Sequence, residues 1–176
     1  MRLRLASAAF ALLAVTSNAV EVTNPATGSV RTALGELRLP DLDGRMVTLS
    51  SYLDRGPVVL DFWATWCKPC LTAIPELNAL YDELEPRGLQ VVGINEDGQR
   101  NAAKVKPFVR TQDIHFPVLL DLNRAAQSRL NAPALPTTLL LDRDGNVVHT
   151  TFGYRPGEIQ QLRAKIEALL TAKPAE

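Results

Sequence analysis

The chain's two cysteines stand together in Trp66-Cys67-Lys68-Pro69-Cys70, between an apolar run and a helical pattern. The run before them, Val58-Val59-Leu60-Asp61-Phe62-Trp63, has the length and composition of a buried strand. After them Ile74, Leu77, Leu80, Tyr81 and Leu84 recur at helical spacing. Gly88 then introduces a second strand, Leu89 to Asn95. Strand, helix and strand in that order make a parallel pair with a right-handed crossover. The thiols therefore sit at the start of the crossover helix. Unpaired backbone N–H groups and the positive end of the helix dipole favour a thiolate there.

The flanking pattern extends this unit. Glu36 to Leu39 and Met46 to Leu49 read as a hairpin around Asp43-Gly44. Ser50 or Ser51 can cap a short helical turn that ends near Arg55-Gly56. Pro75 is expected to kink the first long helix, and Pro107 to bend a second one over Arg100 to Arg110. Phe116 to Leu120 is a short strand, and Asn123 to Leu130 one or two helical turns. Thr137 to Leu141 and Val147 to Phe152 form a hairpin about Arg143-Asp144-Gly145-Asn146. Glu158 to Leu170 closes the chain as an amphipathic helix. The sum is an α/β domain: a mixed central sheet flanked by helices, with an N-terminal β-hairpin and a helical insert.

The first residues differ in kind. Arg2 and Arg4 precede an apolar stretch from Leu5 to Val15, and Ser17-Asn18-Ala19 offers small residues at the positions a signal peptidase reads. The expectation is a secretory signal peptide over residues 1–19, a flexible leader over 20–35 and one domain over 36–172. At about 11–15 residues the apolar stretch is short for a spanning helix, which needs roughly 20. Export makes the periplasm the expected compartment. With 19 basic and 19 acidic residues the formal net charge is zero, which argues against a nucleic-acid partner.

In an exported chain a cysteine pair is normally a staple. A Cys-x-x-Cys bridge closes so small a loop that it stabilises by only roughly 2 kcal/mol, which makes it a weak device for 176 residues. A redox role fits better. If Cys67 titrated near 6.5 instead of about 8.5, its thiolate fraction at pH 7 would rise from roughly 3% to roughly 75%. Nucleophilicity would fall about eightfold, so attack would still be roughly threefold faster. Cys67 is thus the attacking nucleophile, and Cys70, one turn deeper, resolves the mixed disulfide. Asp61, set in an apolar strand, should carry a raised pKa and take the Cys70 proton, directly or through a buried water. Lys68 is an exposed cation of modest effect, and Trp63 reads as core. Pro136 opens a strand, and the residues alone leave its cis or trans state open.

Phe62-Trp63-Ala64-Thr65-Trp66-Cys67-Lys68-Pro69-Cys70 resembles the active-site stretch of the thioredoxin superfamily. The hairpin around Leu39 to Leu49, Val91-Val92-Gly93-Ile94-Asn95 with its helical insert, and Leu135-Pro136-Thr137-Thr138-Leu139-Leu140-Leu141-Asp142 resemble its exported TlpA/ResA-like branch. The resemblance spans about residues 36–170. It implies a thioredoxin-like fold and reductive thiol–disulfide exchange, without a cofactor. Cys67 and Cys70 would be the redox pair, Asp61 the buried acid and Pro136 a cis-proline. Leu135 would offer its backbone to a substrate strand, with Trp66 and Pro69 beside it. Glu96 or Asp97 lies near where some relatives place an acidic active-site residue. Implied partners are client proteins with cysteines or disulfides, such as those of cytochrome c maturation or oxidase assembly, and a membrane electron donor of the DsbD/CcdA type. The working form would be a monomer.

A metal role, for zinc or Cu(I), and a peroxidase role are rival readings of the same thiols. Zinc would need two more ligands, and His115 and His149, the only histidines, are not paired at ligand spacing. Cu(I) delivery suits two soft thiolates, although Met1 and Met46 are the only methionines. A thiol peroxidase would usually set its cysteine after Thr and Pro, whereas Trp66 precedes Cys67 here.

Overall fold

The structure is a computed structural model that describes residues 27–171. The proposed signal peptide over residues 1–19 lies outside that span. Five strands form the central sheet in the order β5-β4-β3-β6-β7. They are β3 (Val58–Trp63), β4 (Gln90–Asn95), β5 (Val118–Leu120), β6 (Thr137–Leu141) and β7 (Val147–Phe152). β3 pairs parallel with β4, and β4 with β5; β6 runs antiparallel to both β3 and β7. The hairpin of β1 (Arg38–Pro40) and β2 (Met46–Thr48) forms a separate two-stranded sheet, tied to β5 through the bridge Asp41–Leu119.

The two faces of the sheet carry separate cores. Val59 and Trp63 of β3 point to one face, where they meet α2 (Lys68–Leu84), α3 (Ala102–Thr111) and α5 (Glu158–Thr171). Val58, Leu60 and Phe62 point to the other. There they meet Leu39 of the hairpin, Leu49 and Leu53, and α4 (Ala125–Arg129). Asp61 alternates with Leu60 and Phe62, so its carboxyl belongs to the α2 face. Every residue of β3, β4 and β6 is buried, as expected for strands covered on both sides.

Three local expectations need correction. The leader expected over residues 20–35 is helical from Thr27: α1 runs Thr27–Glu36, and Leu34 and Leu37 are buried in the second core. Its Thr, Ser and Gly content favours a loop, but burial of an apolar face outweighs weak propensity. The helical turn after β2 is a 3-10 turn over Leu49–Tyr52, and no side chain caps it. Ser51 instead donates its hydroxyl to the Thr48 carbonyl at 2.7 Å. The strand expected from Glu36 starts at Arg38, because the helix occupies Glu36.

Gly93 on β4 is required by close packing. A Cβ there would lie 2.9 Å from Nε1 of Trp63 and 3.0 Å from Phe116. The missing side chain lets the Trp63 indole lie across β4, with its ring centroid 6.0 Å from that of Phe108. Trp63 is therefore core, and it anchors the end of β3 from which the cysteine loop departs.

Candidate active site

The loop after β3 turns at Ala64, whose carbonyl accepts from the Cys67 amide at 3.0 Å, and α2 starts at Lys68. Cys67 is its N-cap, and its Sγ accepts from the Cys70 amide at 3.3 Å. Pro69 in the first turn has no N–H to leave unpaired there. Cys67 and Cys70 are joined as a disulfide. Cys67 is 4% exposed and Cys70 is 0%, so only the first sulfur's residue reaches solvent. That order fits attack at Cys67 and resolution from Cys70. An amide already aimed at Cys67 Sγ would stabilise negative charge on it.

Asp61 lies in the middle of β3, 1% exposed. Its Oδ1 accepts from the Thr138 hydroxyl at 2.9 Å, and its Oδ2 has no partner. Burial pushes its pKa up to about 7, against a smaller downward pull from the Thr138 hydrogen bond. A carboxyl that titrates near neutral pH can both take and return a proton. It shares the α2 face with Cys70 and Ala73.

The Leu135–Pro136 bond is cis, as the family resemblance implies. Pro136 is buried and Leu135 half-buried. The loop is held by Thr137 Oγ1, which donates to the Ala134 carbonyl at 2.7 Å, and by the Pro136 carbonyl, which accepts from the Gly153 amide at 2.8 Å. Pro136 and Ala73, one turn beyond Cys70, line the same small cavity, which places the proline against the α2 start. Trp66 is 63% exposed, and Lys68 and Pro69 are exposed beside it. Around a nearly covered disulfide, the accessible surface is thus an indole and a proline.

The acidic pair at the end of β4 divides. Asp97 grips the cysteine loop: Oδ2 accepts from the Thr65 amide at 2.8 Å and Oδ1 from the Thr65 hydroxyl at 2.6 Å. Asn95 Nδ2 also donates to Asp97, at 2.7 Å. Glu96 turns inward, 2% exposed, with its carboxyl beside that of Asp121. Burial, followed by the negative charge of Asp121, pushes its pKa up to about 8. Asp121 is itself buried and accepts from the Ala125 and Gln127 amides at the start of α4.

Sequence reading had not singled out Thr138, Thr65 or Asp121. Thr138 reads as an ordinary β-branched strand residue, and only strand register reveals that it faces Asp61. Among the described residues there is no cluster of three or more metal-ligating side chains, and no helix long and apolar enough to cross a membrane.

Comparison with known proteins places these features. The AhpC/TSA family matches residues 30–150. Thiol-disulfide oxidoreductase ResA of Bacillus cereus is 36% identical over 118 residues, covering 67% of this chain and 66% of the relative. The chain thus matches just under two thirds of that protein's length. A Chlorobium tepidum structure provisionally named thiol:disulfide interchange protein DsbE is 31% identical, with a TM-score of 0.70 over 76% of this chain and 92% of that one. A secreted Mycobacterium tuberculosis disulfide oxidoreductase, 24% identical, shares the fold, with a TM-score of 0.64 over 78% of this chain and 98% of that one.

Proposed function

The chain belongs to the AhpC/TSA family, with a thioredoxin-like fold, and from that premise we propose that it is an exported thiol–disulfide oxidoreductase that reduces disulfides in client proteins. The observation that carries this reading is the Cys67–Cys70 disulfide at the start of α2, on the sheet face that also holds Asp61. The names of the Bacillus cereus and Chlorobium tepidum relatives support it. Export is supported by the basic, apolar and small-residue character of residues 1–19. A reductant working outside the cytosol needs a thiol donor at the membrane, which fits a donor of the DsbD/CcdA type. Clients would be exported proteins with cysteine pairs, such as apocytochrome c or oxidase-assembly proteins.

In the reduced protein the Cys67 thiolate attacks a client disulfide. A Cys67–client bond forms, and the first client sulfur leaves as a thiolate that takes up a proton. Cys70 then gives its proton to the Asp61 carboxylate, and its thiolate attacks Cys67 Sγ. The Cys67–Cys70 bond closes and the second client sulfur leaves. The client gains two electrons and two protons, and the protein dithiol loses two electrons. Trp66, Pro69 and the Leu135–Pro136 backbone would form the docking surface.

The test is a trap. Cys70→Ser should hold a disulfide-bonded peptide on Cys67 as a stable mixed disulfide, visible by mass spectrometry, and Cys67→Ser should capture nothing. Capture by the Cys67 variant would overturn the assignment of roles. A reduced protein that consumed hydrogen peroxide rapidly while ignoring the peptide would favour a peroxidase instead.

A further inference from the structure

The register of the sheet lines up a polar ladder across an otherwise apolar face. Asp61 on β3 stands opposite Thr138 on β6, and Thr138 stands opposite Thr151 on β7. Directly paired residues share a face, so these three side chains point the same way. The hydroxyl of Thr138 donates to Asp61 Oδ1 at 2.9 Å. The hydroxyl of Thr151 lies 3.2 Å from Nε2 of His149 on the same edge strand. Exposure rises along the row: Asp61 is 1% exposed and Thr138 8%, while Thr151 and His149 are half-buried.

Thr138 and Thr151 also line a common cavity, with Ala73, Pro136 and Tyr154. It holds about 10 Å³ of room for a water centre, which is close to what a single water needs. Thr138 both lines it and bonds to Asp61, so its hydroxyl offers the link between the acid and that water. A hydroxyl can donate to the carboxylate and accept from the water at the same time.

We propose that the ladder Asp61–Thr138–Thr151, bridged by one water and ending on His149, is the path by which the buried acid exchanges its proton with solvent. The proposal rests on the exchange reaction above, in which Asp61 takes the Cys70 proton; the ladder lets that proton equilibrate with solvent. Once Asp61 is protonated, the Thr138 hydroxyl turns to donate to the water. The proton then leaves Asp61 for the Thr138 oxygen as the hydroxyl proton passes to the water, which hands one on towards Thr151 and His149, and the hydroxyl again donates to Asp61. Each group returns to its starting state, so the relay needs no other reactant. Thr138 is a positioning residue, since it acts through Asp61.

Other charged groups stand around the ladder, and one of them, Glu158, also lines the cavity. On α2, Glu76 accepts from the Tyr154 hydroxyl; on α5, Glu158 accepts from the Arg155 amide. Lys165 and Glu158 act on His149, whose pKa burial lowers. Opposite Asp61, β4 offers only Gly93. None of these charges contributes to the shift at Asp61, which burial and Thr138 alone produce.

The experiment follows the Asp61 carboxyl by carbon NMR in the oxidised full chain, where no client is needed. Thr138→Val should move its titration midpoint up by about one pH unit, because a donor to the carboxylate is lost, while Thr138→Ser should keep it in place. An unmoved midpoint in the valine variant, or a serine variant that behaves like valine, overturns the role of Thr138. Thr151→Val should leave the midpoint and single-turnover closure alone but slow multiple-turnover disulfide exchange several-fold and enlarge its solvent isotope effect. Parent-like turnover in Thr151→Val overturns the outer path. If the parent failed to exchange disulfides at all, the functional reading would fall while the titration result still stood.

Discussion

Among the described residues two buried carboxyl groups, Asp61 and Glu96, have strongly raised pKa values, and their surroundings give them opposite characters. Asp61 sits mid-strand in β3 and its pKa rises to about 7; Glu96 sits just past β4 and rises to about 8. Burial is the main cause in both. The second influence separates them. Asp61 has a neutral hydroxyl beside it, which can donate to the ionised form, so the group can lose and regain its proton in place. Glu96 faces Asp121, whose negative charge is held by two amides at the start of α4. A second charge there is opposed, and Glu96 stays protonated at neutral pH. Burial raises a carboxyl's pKa, but its neighbour decides whether the raised value is usable for chemistry.

The largest expected effect tests that division directly. Asp61→Asn should slow closure of the mixed disulfide at pH 7 by about 100-fold, the scale of a lost general base. It should also remove the rate's dependence on pH near 7. Glu96→Gln should leave the rate at the parent value. Stopped-flow decay of a preformed mixed disulfide measures both, and equal rates for the two variants would erase the distinction.

Stability against pH comes next. Each acid holds its proton more tightly folded than unfolded. The contribution of each to stability is therefore full below the ordinary carboxylate range near pH 4, declines as pH rises, and is lowest above the folded pKa. Glu96→Gln should remove the Glu96 share of that decline. By urea denaturation it should match the parent at pH 4 and exceed it clearly at pH 9. A variant that is no more stable at pH 9 would show that Glu96 does not hold its proton.

Asp97, one residue further on, is the counter-example of an acid well supplied with donors. Asp97→Ala strips the Thr65 amide and hydroxyl and Asn95 of their acceptor. The expected cost is about 2 kcal/mol, read as a lower Tm, with faster hydrogen exchange at the Thr65 amide. Unchanged exchange at Thr65 would mean that the cysteine loop is held by other contacts.

The smallest effect lies on the surface. His115 is set between Asp82 and Asp113, at 2.8 Å and 3.3 Å, and the hydrogen bonds to them raise its pKa. Its stabilisation is full below the ordinary imidazole value and fades as pH rises through the raised one. His115→Gln should be less stable than the parent at pH 5.5, equal at pH 9, and less different in high salt. A difference that persisted at pH 9 would point to packing rather than charge.

Much of the scaffold was legible because its signals are local. Thr137–Leu141 and Val147–Phe152 appear as strands with the expected bounds, since β-branched and apolar runs flank a turn at Asp144-Gly145. The helix after the cysteines ends at Leu84, as its spacing implies. Residues 27–35 were misread because their composition favours a loop, and Leu34 is buried only once a core exists to receive it. The division of labour between Glu96 and Asp97 was equally hidden. Adjacent acids look alike in sequence, and one turns to Thr65 while the other turns inward.

The sequence by itself determined the redox pair, its place at a helix start and the buried strand that carries Asp61, because each follows from spacing and hydrophobic pattern within a few residues. Only the tertiary structure decided who stands next to that acid. Strand register brings Thr138, 77 residues away in the chain, within 2.9 Å of it. In a water-poor interior, that single neighbour governs where the proton can go.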